Sequence, residues 1–183
     1  MVIDADGLWY LIQESSEAIR SNIKGKGKNV ILTPNLVEME RIIKFLKVEN
    51  KLEFKEKYDL NDIYLLQNIS DYMLITESFG NCGIIIKGKE DVVIYGNEGY
   101  VNTTKGCIKR CGGIGDILSG VAAQYLALSL KLPHQQITTA QCLAAACALV
   151  REASRLAEQD RGISLTAPYI INNLALSWKS LVK

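Results

Sequence analysis

The stretch NVILTPNLVEMERIIKFL, residues 29–46, decides how the fold is read. Val30, Ile31 and Leu32 make a short apolar run that Thr33, Pro34 and Asn35 stop, and from Leu36 onward apolar residues return at helical spacing. Asn35 followed three residues later by Glu38 has the spacing of a capping box, in which each side chain accepts from the other residue's backbone N–H. The stretch therefore predicts one strand, a tight turn and a capped helix.

Working outward, the same order recurs upstream. Val2 and Ile3 run into Asp4 and Asp6, after which Leu8, Trp9, Leu11, Ile12, Ala18 and Ile19 follow a helical period, with GKGK at 25–28 expected as a loop. Downstream, the charged segment 47–57 reads as a solvated loop or helical edge, and residues 59–79 as further helix. Three β-like runs, CGIIIKG, DVVIYG and GYVNTT, are separated by glycine-rich turns and predict a hairpin or meander. Beyond Gly112 the pattern is helical over 116–130, 138–156 and 166–182. Two strand–helix units, a hairpin and a helical block predict a layered α/β domain, a single one over residues 1–183.

Composition narrows the function classes. At 48% hydrophobic residues with 3 prolines, the chain can bury a sizeable core. Lys+Arg 21 against Asp+Glu 20 leaves a net charge of +1, without the basic footprint of a nucleic-acid binder or of a protein held on an anionic membrane. The most apolar stretch, 117–130, is broken by Gln124 and falls short of the roughly 20 residues of a membrane span; it is expected to be a core helix. Five cysteines with no CxxC pair, and His134 as the one histidine, exclude zinc ribbons and leave little material for a Ser-His-Asp site. Cys142 and Cys147, within LAAACALV, read as small buried hydrophobes in a reducing compartment. The opening MVIDADG has no basic n-region, so no signal peptide is predicted.

The segment richest in chemistry is CGGIGDILSG, residues 111–120. Gly112, Gly113 and Gly115 allow a tight turn and close approach to a ligand, and the helix that follows aims its first N–H groups at that turn, as an anion hole requires. Asp116 falls in the first helical turn. A carboxylate beside a phosphate is costly unless it acts there, and a general base for an attacking hydroxyl is such a role. On the glycine pattern alone, a plain turn with Asp116 as an ordinary first-turn residue reads equally well. Gly83 to Lys89 has Walker A spacing, but Glu90 stands where Ser or Thr would hold magnesium and the interior is an apolar strand, so no P-loop is predicted.

VIDADGL (2–8), LTPNLVEMERI (32–42), IIKGKEDVV (85–93) and KRCGGIGDILSG (109–120) stand in the order and at about the spacing of the ATP- or ADP-dependent NAD(P)H-hydrate dehydratases. The sequence resembles that family, which belongs to the ribokinase-like superfamily, along nearly its whole length. The resemblance implies a ribokinase-like three-layer αβα sandwich and, because family members carry a long segment before the DADGL-like strand, an N-terminally truncated one. It implies that Asn35, Leu36, Val37, Glu38, Met39, Glu40 and Arg41 line the hydrated-nicotinamide site, with Asn35 and Glu38 as polar contacts. Lys87, Gly88, Lys89, Glu90 and Asp91 would border ATP or ADP. Gly106, Cys107, Ile108, Lys109, Arg110, Cys111, Gly112, Gly113, Ile114 and Gly115 would wrap its phosphates, with Asp116 facing the substrate hydroxyl. Read without the resemblance, Asn35 is a helix cap and Lys87 a strand-end lysine with its ammonium in water.

Asp4 and Asp6, at a strand end, suit the phosphate and Mg2+ region, although a strand-end aspartate capping the next helix explains Asp6 equally well. Met39 stands where many family members have an aromatic. The implied partners are the small molecules NADHX or NADPHX and the nucleotide, in the cytoplasm or mitochondrion, and a homo-oligomer is compatible with them. Two alternatives share the motifs: a ribokinase-like vitamin-alcohol kinase, and a truncated binding or regulatory subunit.

Overall fold

The computed structural model describes residues 1–49, 69–131 and 136–182, and the chain divides into two compact units, Met1–Val101 and Asn102–Lys183. Segment 50–68 and His134 lie outside the described residues.

The first unit is built on a sheet whose spatial order follows the chain: β1 (Val2–Ile3), β2 (Ile31–Leu32), β3 (Gly83–Ile86), β4 (Asp91–Tyr95) and β5 (Glu98–Asn102). β1 pairs with β2 in parallel through Val2↔Ile31 and Ile3↔Leu32, and β2 with β3 in parallel through Ile31↔Gly83 and Leu32↔Ile84. β3 and β4 are antiparallel, with Ile85 opposite Val93. Residues 83–86 and 91–94 are buried without alternation, as expected of strands covered on both faces. Helices α1 (Asp6–Leu11), α2 (Glu17–Lys26), α3 (Leu36–Glu49) and α4 (Ile69–Ser78) supply the rest of this core. α3 buries Met39, Ile42, Ile43 and Leu46, one face at helical spacing, against Leu8, Leu32 and Ile84.

The continuous helix expected over residues 8–19 is two helices. α1 ends at Leu11, and a 3-10 turn at Glu14–Ser16 precedes α2. The carbonyls left open there are met by Arg20, whose Nη1 donates to the Leu11 oxygen at 3.1 Å and to the Gln13 oxygen at 2.6 Å, with its guanidinium 5.0 Å from the Phe45 ring centroid. Trp9, Ala18 and Ile19 accordingly lie exposed, while Arg20 is buried. The loop expected at 25–28 is likewise corrected: α2 runs through Lys26 and stops at Gly27, whose φ is +44°. A Cβ on Gly27 would lie 2.6 Å from the Gly80 carbonyl oxygen, and one on Gly80 (φ +78°) 2.4 Å from the Lys24 Cα. Backbone meets backbone there, which glycine alone permits.

The second unit is helical: α5 (Ile114–Lys131), α6 (Thr139–Arg161) and α7 (Ala167–Leu181). A capping box starts α6, with Thr138 Oγ1 accepting from the Gln141 N–H and Gln141 Oε1 from the Thr138 N–H. Ala146, Ala153 and Ala157 are fully buried on α6, which packs against both other helices. The expected core helix, α5, buries only the stripe Leu118, Ala122 and Leu126, one residue per turn, and leaves Leu128 and Leu130 exposed. Cys147 is buried and Cys142 half-buried, and the five cysteines are all free. No helix of the described residues is long and apolar enough to cross a membrane.

Glu152 fastens α6 to α7. Its carboxylate takes both Arg155 Nε and Nη2 at 2.7 Å and the Ser180 hydroxyl at 3.0 Å, and those bonds, Arg155 first, hold it below the usual carboxylate range. A depressed folded-state value means this stabilisation is present above the ordinary carboxylate pKa of about 4.3 and fades as pH falls through the lowered one. Glu152→Ala should therefore cost about 1–3 kcal/mol at pH 7 and distinctly less near pH 3, as measured by urea unfolding at the two pH values; an equal cost at both would contradict this origin.

Candidate functional site

In the first unit the candidate residues gather beyond the carboxyl ends of the three parallel strands. β1 is followed by Asp4, β2 by Asn35 and β3 by Lys87, and the parallel pairing brings these ends to one edge of the sheet. Lys87 bridges to Asn35 through the backbone, its N–H donating to the Pro34 carbonyl at 2.7 Å. Its ammonium lies 2.5 Å from Asp4 Oδ1, an ion pair in which both side chains are largely buried. Lys87 is therefore fixed by a carboxylate rather than extended into water, and the Asp4 charge is compensated within the cluster. Asp91 is buried beside Gly88.

The Asn35–Glu38 pair forms the capping box read from the sequence: Asn35 Oδ1 accepts from the Glu38 N–H at 2.9 Å, and Glu38 Oε2 from the Asn35 N–H at 2.8 Å. Of the other residues in that segment, Val37, Glu40 and Arg41 are exposed and Leu36 is half-buried. Met39 has no exposed surface and belongs to the core. Glu38 and Arg41 border a cleft of about 150 Å3 together with Asp6, Trp9 and Ile12. Trp9, half exposed on this cleft and edge-on to Tyr10 at 5.1 Å, is an aromatic wall that the sequence suggested only as a helix-face residue.

In the second unit the glycine-rich segment leads into α5, but the helix starts two residues earlier than the expected residue 116, so Gly115 lies in the helix and the turn is Gly112–Gly113. Gly113 has φ +88°, and α5 begins at Ile114 with Asp116 exposed in its first turn. The Ile117 N–H already reaches the Gly113 carbonyl at 3.1 Å, whereas the N–H groups of a helix's first residues have no partner within the helix, which gives residues 114–116 the donors an anion needs.

Residues 103–113 form neither helix nor strand, and fixing such backbone costs about 1–2 kcal/mol per residue. α6 supplies the anchors. The Cys107 N–H donates to Ser154 Oγ at 3.0 Å, the Ile108 N–H to both Glu158 oxygens at 2.9 and 3.1 Å, and the Lys109 N–H to Glu158 Oε1 at 2.8 Å. The Lys109 ammonium donates to the Ile163 carbonyl. The backbone N–H groups of Lys109 and Ile108 hold the Glu158 carboxyl below its usual range. Cys107 and Cys111 pack against Ala153, Ala157 and Leu165, and burial, with Cys107 nearby, pushes the Cys111 thiol up, so it is protonated at neutral pH. The sequence alone does not point to Ser154 and Glu158, because nothing local marks a helix residue that binds a loop 47 to 50 positions earlier.

An α/β protein of ribokinase-like fold is the class this structure defines. It matches a ribokinase-like superfamily protein from Enterococcus faecalis with a TM-score of 0.60 at 19% identity, covering 98% of this chain and 52% of that one. The family model described as NAD(P)H-hydrate dehydratase matches residues 1–176, and the chain belongs to that family. Among its relatives are the ATP-dependent (S)-NAD(P)H-hydrate dehydratases of Mus musculus, 31% identical over 99% of this chain and 49% of the relative, and of Entamoeba histolytica, 36% identical over 89% and 47%. The chain thus spans about half the length of the curated relatives it matches.

The turn makes its own test. A Cβ on Gly113 would lie 2.9 Å from the Ala167 Cβ at a backbone angle that side chains avoid, whereas Gly112 faces open space. Gly113→Ala should lose about 1–3 kcal/mol of unfolding free energy, and Gly112→Ala should stay within about 1 kcal/mol of wild type, both read from urea unfolding curves.

Proposed function

We propose that this chain carries out the ATP-dependent dehydration of (S)-NAD(P)H-hydrate to NAD(P)H. The observation that carries the reading is Asp116, placed in the first turn of α5 directly after the Gly112–Gly113 turn, within a chain whose family match runs from residue 1 to 176. That single match across both units also supports reading them as one domain. The relatives' names favour this activity over the vitamin-alcohol kinase, and favour ATP over ADP.

In this reading the γ-phosphate of ATP lies on the 112–113 turn and the open N–H groups at the start of α5. Asp116 takes the proton of the ring hydroxyl as its oxygen forms the new bond to phosphorus and ADP leaves with the electron pair of the broken bond. Phosphate then departs with the electrons of the ring C–O bond while the neighbouring carbon loses a proton, restoring the ring double bond. Because the amides of residues 107–109 are bonded to α6, our reading takes residues 112–116 for the phosphate contacts and Arg110, which is exposed, for the positive charge beside them. The described residues contain no group of three or more metal-ligating side chains. Magnesium would enter with ATP, keeping phosphates and waters as ligands and offsetting charge on the transferring group. Asn35, Glu38, Arg41 and the cleft beside them are assigned to the hydrate, and Lys87 to Asp91 to the nucleotide. Five free cysteines agree with a reducing compartment, the cytoplasm or mitochondrion.

The test is the return of dihydronicotinamide absorbance when the chain is mixed with NADHX, ATP and magnesium. Asp116→Asn, similar in size but unable to accept the proton, should lower kcat at least about 100-fold with the unfolding temperature retained; unimpaired turnover would remove Asp116 from the role of base.

A further inference from the structure

We propose that Glu158 is a positioning residue for the nucleotide: its carboxylate sets the stem from which the 112–113 turn, the start of α5 and Arg110 meet the phosphates. The inference rests on the nucleotide site of the preceding reading and adds to it a residue on a different element.

The geometry is specific. Ser154 and Glu158 stand one helical turn apart on α6, so both face the same way, and they accept from three successive loop amides, those of Cys107, Ile108 and Lys109. Ser154 is itself held, its hydroxyl donating to the Arg151 carbonyl at 2.7 Å. Two consecutive backbone N–H groups converging on one carboxylate form the concave donor arrangement that otherwise takes an anion. Here a side chain fills it, so residues 108–109 are spent on anchoring rather than on ligand. Only Arg110 and Cys111 separate this anchor from the glycine turn, too short a span to let the turn move independently.

If the carboxylate is removed, residues 108–110 regain backbone freedom that ATP must remove again on binding. The loss then appears in affinity and in the KM for ATP, and the chemical step, which uses groups beyond Gly112, is largely spared. A purely structural contact on α6 would instead lower the unfolding temperature and leave that split unchanged.

The experiment titrates the full chain and its Glu158→Ala and Glu158→Gln variants with ATP and magnesium by calorimetry, with amide hydrogen exchange at Ile108 and Lys109 followed in parallel. The expected result is about a tenfold weaker Kd and faster exchange at both amides in Glu158→Ala, with exchange across α5 and α7 unchanged. Glu158→Gln keeps one acceptor oxygen and should fall between, a partial rescue; it also carries the test if the alanine variant does not fold. Faster exchange with unaltered ATP affinity would overturn the positioning role and leave the proposed function standing. No ATP binding by the wild-type chain would overturn both.

Discussion

Parallel pairing on both sides of Ile31–Leu32 is the constraint on which the first unit depends. Parallel strands cannot be joined by a hairpin, so each connection crosses back over the sheet and every carboxyl end arrives at the same edge. The residues that follow those ends, Asp4, Asn35 and Lys87, therefore meet although they are 31 to 83 positions apart in the sequence. Burial of an ammonium and a carboxylate in this place is tolerable because they pair with each other, their charges opposed at close range in a largely enclosed position. The core beneath, with Leu32, Met39, Ile84 and Ile86 nearly or fully enclosed, leaves those strands little freedom to shift register.

The second unit solves a different problem. Its segment 103–113 has no strand ladder or helix to satisfy it, and the anchors come from polar residues of α6, a helix that also buries Leu143, Leu149, Val150, Cys147 and four alanines. Small residues at 146, 153 and 157 bring α6 close to its neighbours, and that closeness lets side chains as short as Ser154 reach the loop backbone. Glu152, on another face of the same helix, takes the hydroxyl of Ser180 on α7. One helix thus fastens both the loop before α5 and the last helix.

What the sequence made legible was local. The strand, turn and capped helix at 29–46 were readable because every signal lay within a few residues: the apolar run, Pro34, and the Asn35–Glu38 spacing that the structure shows as two reciprocal hydrogen bonds. The β3–β4 hairpin and the three terminal helices were legible for the same reason. The misreadings were made where a distant group decides. The break after Leu11 depends on Arg20 reaching back to its carbonyl, and periodicity scores such an arginine as a polar interruption. Two glycines in GKGK suggested a loop, yet only Gly27 has a left-handed φ; Gly25 sits in the helix. Apolar composition predicts a core helix at α5, but composition does not say how many neighbours a helix has, and only one stripe of it is buried. Of the candidate site, the glycine turn and Asp116 were visible as a motif, whereas the Glu158 anchor joins residues about 50 apart and leaves no mark in either segment.

The proposed chemistry asks a carboxylate to remain beside a triphosphate, and the local architecture explains how that is sustained. The N-terminus of a helix as long as α5 carries about half a positive charge, concentrated on the open N–H groups of its first turn. Those donors lie between the turn and Asp116, so in the proposed site they would stabilise the phosphate and the carboxylate together instead of leaving the two anions to repel across water. The arrangement needs no reorganisation when the hydroxyl gives up its proton, because the helix fixes the donors and the positive φ of Gly113 fixes the turn. A base carried on a flexible loop would lose that advantage, since the same negative charge that suits it to take a proton would drive it away from the phosphate. A base one residue after Gly115, on the helix itself, would hold two like charges side by side by means of backbone already committed to the fold.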